Sequence, residues 1–352
     1  MPFDRDRFGP VRSDRDRQVV AGWLFGLCGM IVVMVGLGGA TRLTGSGLSI
    51  MEWAPIMGAL PPLSEAEWGR LYRLYQRIPQ YELVNQGFGL AGFKQIFWLE
   101  WGHRLWGRLI GLAFIGPLLW LAWRGAIGRR LVPKLGVLLV LGGAQGGVGW
   151  FMVASGFAPA STAVSPYRLV VHLTLALVLY VALLWIGLGE WRPRRAAAPS
   201  GLRAMAWGLT GLTGLTVLAG GFVAGTKAGF TYNSFPLMDG RLVPPGYGDL
   251  APWWRNLTEN MAAVQFDHRV LATVTLVAAL GTAWRYLPLV EGAAAARPLF
   301  LLAVSVLAQY ALGVVTLLWV VPVSLGTAHQ VVAVLVLSAA VGLLHATRAP
   351  LS

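Results

Sequence analysis

The chain has 352 residues, of which 56% are hydrophobic and only 12% charged, with a formal net charge of +13. That balance excludes an ordinary soluble domain and points to a polytopic membrane protein. A single cysteine, Cys28, excludes an internal disulfide and any cysteine-based metal cluster. The excess of Lys and Arg does not call for a nucleic-acid partner, because these residues fall between apolar segments, as membrane topology requires.

Residues 1–17 are polar, with alternating Asp and Arg, and read as a cytosolic tail. No short apolar region followed by a small-residue cleavage site is present there, so no removable signal peptide is expected. Apolar runs of spanning length follow at 18–38, 104–123, 132–153, 169–189, 203–224, 269–288, 298–320 and 327–347. The expected fold is therefore all-α, with eight transmembrane helices. Long connections interrupt the series at 39–102 and 225–267. Lys and Arg number five, four, four, two and one in the tail and the connections at 124–134, 190–203, 285–297 and 348. The opposite side holds nine, mostly in the two long loops, which weigh lightly. Both termini are thus expected in the cytoplasm, with the long loops outside.

The chain repeats itself. Gly38-Gly39-Ala40-Thr41-Arg42 closes the first span, and Gly220-Gly221-Phe222-Val223-Ala224 closes the fifth. Each is followed by a long loop and a His-Arg pair, His103-Arg104 and His268-Arg269. Ala144-Gln145 answers Ala308-Gln309, and His172 answers His329. Four helices per half, an even number, predict two four-helix bundles related by a pseudo-twofold axis along the membrane normal. The expected division is 18–189 and 203–347, joined by a cytosolic linker at 190–202.

Four of the five histidines, His103, His172, His268 and His329, open the even-numbered spans, so all four lie at similar depth near the outer face. Two imidazoles on different helices at one level suit a porphyrin iron clamped from both sides. Zinc or copper fits less well, since carboxylate or sulfur ligands are not placed beside both pairs. The residue four after each histidine is small: Gly107, Ala176, Ala272 and Ala333. His345 has no counterpart and is not expected to be a ligand. Arg104, Arg108, Arg168 and Arg269 cluster at the same level. They suit heme propionates, whose carboxylates match guanidinium geometry, and equally suit snorkelling anchors. Glu100, three residues before His103, shares its helical face, whereas the corresponding residue before His268 is Gln265. One acid for two histidine pairs suggests one resident cofactor and one reacting site, with Glu100 moving protons or stabilising positive charge. An interfacial carboxylate paired with Arg104 accounts for it as well. The segment Glu65 to Tyr75 looks amphipathic and suits a lid at the lipid surface or an ordered loop helix.

The run Gly38 to Ser49, Met51-Glu52-Trp53, Gly58 to Pro62 and Phe97 to Gly111 strongly resembles the heme A synthase family, in the branch without an outer-loop cysteine pair. The resemblance covers essentially the whole chain. It implies oxidation of the C8 methyl of heme O to the formyl group of heme A, through hydroxylated intermediates, for cytochrome oxidase biogenesis. It further implies heme b held by His268 and His329, the substrate heme at His103 and His172, and an essential Glu100. Heme O, made lipid-soluble by its farnesyl tail, is then expected to enter from the bilayer. Heme O synthase, cytochrome oxidase assembly factors and an unidentified electron acceptor are the partners so implied, in a bacterial inner membrane. Residues alone leave two rivals, a diheme electron carrier and a heme transporter.

Overall fold

The computed structural model describes residues 13–191 and 198–348. Residues 1–12 of the tail expected at 1–17, and 192–197 of the linker expected at 190–202, lie outside them. Among the described residues eight helices are long and apolar enough to cross a membrane. They are α1 (Asp14–Leu43), α2 (Gly89–Trp123), α3 (Val132–Ala154), α4 (Pro166–Trp191), α5 (Leu202–Thr226), α6 (Met261–Tyr286), α7 (Ala296–Leu318) and α8 (Val323–Ala346). No strand longer than the single bridge Met238–Arg241 interrupts the all-helical fold among those residues.

Local chemistry sets the helix ends. Ser13 and Asp16 form a capping box at the start of α1, each satisfying a backbone N–H of the other's turn. Asn260 caps α6 by accepting from the amides of Ala262 and Ala263. Lys227, in the left-handed region at φ 61°, ends α5.

Two of these starts differ from expectation. α2 begins at Gly89 instead of 104, and α6 at Met261 instead of 269. Gly89, Gly92, Lys94 and Glu100 lower the hydropathy of the first extension, while Asn260 supplies a cap that apolar counting ignores. His103 therefore sits about four turns into its helix and the other three histidines about two turns into theirs. They do not open the helices as the sequence suggests.

α1, α4, α5 and α8 form the centre, with α1 against α4 and α8, and α5 against α4 and α8. α2 and α3 close the first half, α6 and α7 the second. The pattern is compatible with the expected pseudo-twofold pairing of bundles. It is not perfectly balanced, because α2 and α3 meet along a shorter seam than α6 and α7. Between helices in lipid the drive is packing, not expulsion of water. It is supplied here by Leu24, Leu27, Leu177, Leu183, Leu337 and Val341, all buried in one cluster.

Because the chain crosses back and forth, all connections after odd-numbered helices lie at one end, here called the loop end. The helix Glu65–Tyr75, capped by Ser64, packs there. Its buried Trp68, Leu71 and Tyr75 face Phe93 and Phe97 of α2, with Trp68 and Phe97 ring centroids 4.8 Å apart. Its apolar side is thus spent on the protein, which fits an ordered loop helix and not a lid lying on lipid.

Candidate active site

Each of the four histidines meets a glycine on the helix just before its own. A Cβ built on Gly38 of α1 would lie 3.1 Å from Cε1 of His103, and one on Gly149 of α3 would lie 3.0 Å from Cε1 of His172. In the second half Gly220 of α5 would approach Cε1 of His268 to 3.0 Å, and Gly313 of α7 that of His329 to 2.8 Å. A methyl group at any of the four would force the ring to shift.

In every case Nδ1 lies nearer the glycine than Nε2 does. Nδ1 of His103, His172 and His329 is sealed from solvent without a partner, while that of His268 lies 3.2 Å from the carbonyl of Thr216, one turn before its glycine. A bond from Nδ1–H to a carbonyl leaves Nε2 with its lone pair free, the tautomer a metal ligand needs. All four side chains are only partly buried although they sit inside helices of the bundle.

The backbone behind two of them is also held. Gln145 of α3 donates to the carbonyl of His172 at 3.0 Å, and Gln309 of α7 to that of His329 at 3.0 Å. Among the described residues no three His, Cys, Asp or Glu side chains converge as a cluster that could hold a bare metal ion. Nε2 of His329 lies 3.4 Å from the side-chain nitrogen of Gln309. Imidazoles cradled by glycine, in pairs and without a further carboxylate or thiolate, are a donor set that would suit a porphyrin iron.

Glu100 is 2% exposed and fully engaged. Its Oε1 accepts from Nε and Nη2 of Arg104 at 3.0 and 2.5 Å. Its Oε2 accepts from the Ser49 hydroxyl at 2.7 Å and the Ile50 amide at 2.9 Å. The pairing with Arg104 that the sequence left open is thus made. Gln265 occupies the matching place, accepting from Arg269 at 2.9 Å and donating to the carbonyls of Ala228 and Thr231 at 2.8 and 2.6 Å. One loop offers donors and the other acceptors, so a carboxylate suits the first and an amide the second.

All four arginines are bound to main chain. Arg104 donates to the carbonyls of Ile50 and Glu52, and Arg108 to those of Ala54 and Pro55. Arg269 holds the carbonyls of Tyr232 and Ser234, at 2.7 and 2.9 Å. Arg168 donates to Phe151 and lies 3.9 Å from the centre of its ring. These guanidiniums staple loops or helix ends onto the bundle, a use the sequence does not betray because the partners are carbonyls. Nη1 of Arg108 and Nε of Arg269 are sealed from solvent without a hydrogen-bond partner.

Other expectations sort themselves by position. The space beside Gly107 is taken by Met34, whose Cε would lie 3.1 Å from an added Cβ, so that glycine serves helix packing. His345 sits at the far end of α8, 5.2 Å from the Trp185 ring and bonded to Arg348, away from the other four. Cys28 is buried mid-helix. The four glycines, Ser49, Gln145 and Gln309 carry contacts that sequence reading did not assign. Their repeat spacing was the available signal.

Fold and site together define a multi-pass helical membrane protein with two matched histidine pairs at one end. The family model described as cytochrome oxidase assembly protein, COX15-CtaA, matches residues 21–341, and the chain belongs to that family. It is 60% identical over 338 residues to the heme A synthase of Granulibacter bethesdensis, covering 96% of this chain and 89% of that one. It is 48% identical over 339 residues to the heme A synthase of Methylorubrum populi, again covering 96% and 89%. The heme A synthase of Nitrosospira multiformis is 46% identical over 358 residues, with 99% of each chain covered.

Proposed function

We propose that the chain is a membrane oxidoreductase that converts the C8 methyl of heme O to the formyl group of heme A. In this reading the substrate heme lies between His103 and His172, and heme b lies between His268 and His329. The observation that carries it is the fourfold histidine–glycine contact, two per half. Relatives named heme A synthase along nearly the whole chain support the same substrate and product.

A heme held by these imidazoles would supply one-electron redox chemistry. The chain's own residues bind, aim and polarise. Gly38 and Gly149 set the rings of His103 and His172, and Gln145 fixes the backbone behind one of them. Glu100, on the turn before His103, already accepts four hydrogen bonds. To take a proton it would have to give one up, so we assign it as a fixed negative charge that stabilises positive charge developing on the substrate. The partnerless Nη1 of Arg108 and Nε of Arg269 are the donors we assign to propionates. The Lys and Arg balance supports both termini in the cytoplasm and the loop end in the periplasm.

The test is extraction of heme from purified wild-type and Glu100→Ala protein, followed by chromatography and mass measurement. Wild type should yield heme O, hydroxylated heme and heme A beside heme b, and the variant should yield heme b with little product. Heme b alone from wild type made in cells supplied with heme O would instead identify an electron carrier.

A further inference from the structure

The two Gly-Gly pairs each touch more than one site. Gly38 and Gly220 brace the histidines of their own halves, as described. The next residue along a helix is turned by about 100°, so it faces a different neighbour. A Cβ on Gly39 would run into the amide of Gln330 on α8, with Cδ at 3.0 Å. Gln330 directly follows His329. A Cβ on Gly221 would lie 3.1 Å from Cγ2 of Val170 and 3.3 Å from Cδ2 of Leu173 on α4. Leu173 directly follows His172. Each pair is thus two consecutive residues, one against a histidine of its own half and one against the chain neighbour of a histidine in the other half.

We propose that Gly38-Gly39 and Gly220-Gly221 are positioning elements that tie the histidine geometry of each half to that of the other. The inference rests on the histidine roles proposed above. Ordinary close packing of membrane helices places small residues every fourth position along one interface. Here they are adjacent and face two different helices, α2 and α8 in the first case and α6 and α4 in the second. The helical backbone between them is stiff, so a displacement at one histidine reaches the other site through a single peptide unit. Any ligand that shifts one ring is then felt by the other pair, and the coupling acts in both directions.

The assignment predicts a crossed pattern. Gly39→Val, in the first half, should shift the absorption and electron paramagnetic resonance signals of heme b bound in the second half. Gly221→Val, in the second half, should shift those signals less than Gly39→Val does and lower recovery of substrate-derived heme by about tenfold, equivalent to about 1.4 kcal/mol. Gln330→Ala added to Gly39→Val, and Leu173→Ala added to Gly221→Val, should each restore the wild-type behaviour by making room. All are measured on purified, heme-loaded protein in detergent. Where a valine variant does not accumulate, the alanine variant at the same glycine, with and without the same partner substitution, is read instead.

Valine variants that each disturb only their own half would overturn the proposal. So would crossed effects that the partner substitutions fail to relieve. Gly38→Ala and Gly220→Ala separate this from an error in the histidine roles. Gly220→Ala should perturb heme b more strongly than Gly38→Ala does. If those two controls are reversed, the roles of the halves are wrong, and the coupling is then judged by whether the valine pattern reverses with them.

Discussion

Glu100 and Arg104 form a doubly bonded pair, with Arg104 donating to one carboxylate oxygen at 3.0 and 2.5 Å. The second oxygen is occupied by the Ser49 hydroxyl and the Ile50 amide. An amide in place of the carboxylate would turn its NH2 towards donors on one side or the other. A buried donor left without an acceptor costs about 1–3 kcal/mol. Glu100→Gln should therefore loosen the loop over the first histidine pair even though Gln is native at 265. The expected outcome is retained heme b in the absorption spectrum and strongly reduced heme A on extraction.

Ser49 should act through Glu100. Removing a neutral donor from a carboxylate that keeps its other partners is a milder change than removing the charge. Ser49→Ala is expected to lower heme A yield by about tenfold, equivalent to about 1.4 kcal/mol on the barrier, with heme b content unchanged. Ser49→Thr, which keeps the hydroxyl, should recover much of the loss. Chromatography of extracted hemes reads both.

The two histidine pairs should separate cleanly by substitution. His268→Ala or His329→Ala is expected to abolish bound heme b. His103→Ala or His172→Ala should leave heme b bound and abolish conversion. Absorption spectra of the purified variants, alongside heme extraction, check the difference.

How much of this was legible beforehand follows from what kind of signal each feature leaves. Eight apolar runs and the doubled Gly-Gly, Gln and His motifs are periodic, and the fold has the eight spans but carries the histidines about two to four turns inside their helices and not at the starts. The start of α2 was missed because Lys94 and Glu100 make its first turns polar. Glu100 is buried by the loop that folds over it, a tertiary effect with no local trace. The arginines read as anchors or propionate ligands, yet in the structure they hold carbonyls, and a carbonyl has no letter in a sequence. The role of Gly38 and its three equivalents depends on what lies across an interface, and repeat spacing marks the positions without naming the neighbour.

The loop end should also respond to acid. Arg70 donates to Glu52 at 2.8 and 2.7 Å and to Glu67 at 3.0 and 2.8 Å. These bonds hold both carboxyls below the usual range. A group lowered in the folded state contributes stability above its unfolded value, about 4.3 for Glu, and loses it as pH falls through the lowered value. The cluster is exposed, so the effect is local and small. Hydrogen exchange around 52–70, corrected for its intrinsic pH dependence, should quicken below about pH 4 relative to pH 6. Arg70→Ala should remove that difference.

The sparse contact between α2 and α3 is where we propose that the substrate heme enters from the bilayer. A flat, oily molecule entering sideways through that seam never passes through water, so its supply is counted per lipid and not per litre. Mixing in empty vesicle lipid at constant protein and heme would then slow turnover in proportion to the added surface. Diluting the same membranes with buffer would leave the rate per protein unchanged. Detergent micelles, each holding few substrate molecules, would make the rate depend on exchange between micelles.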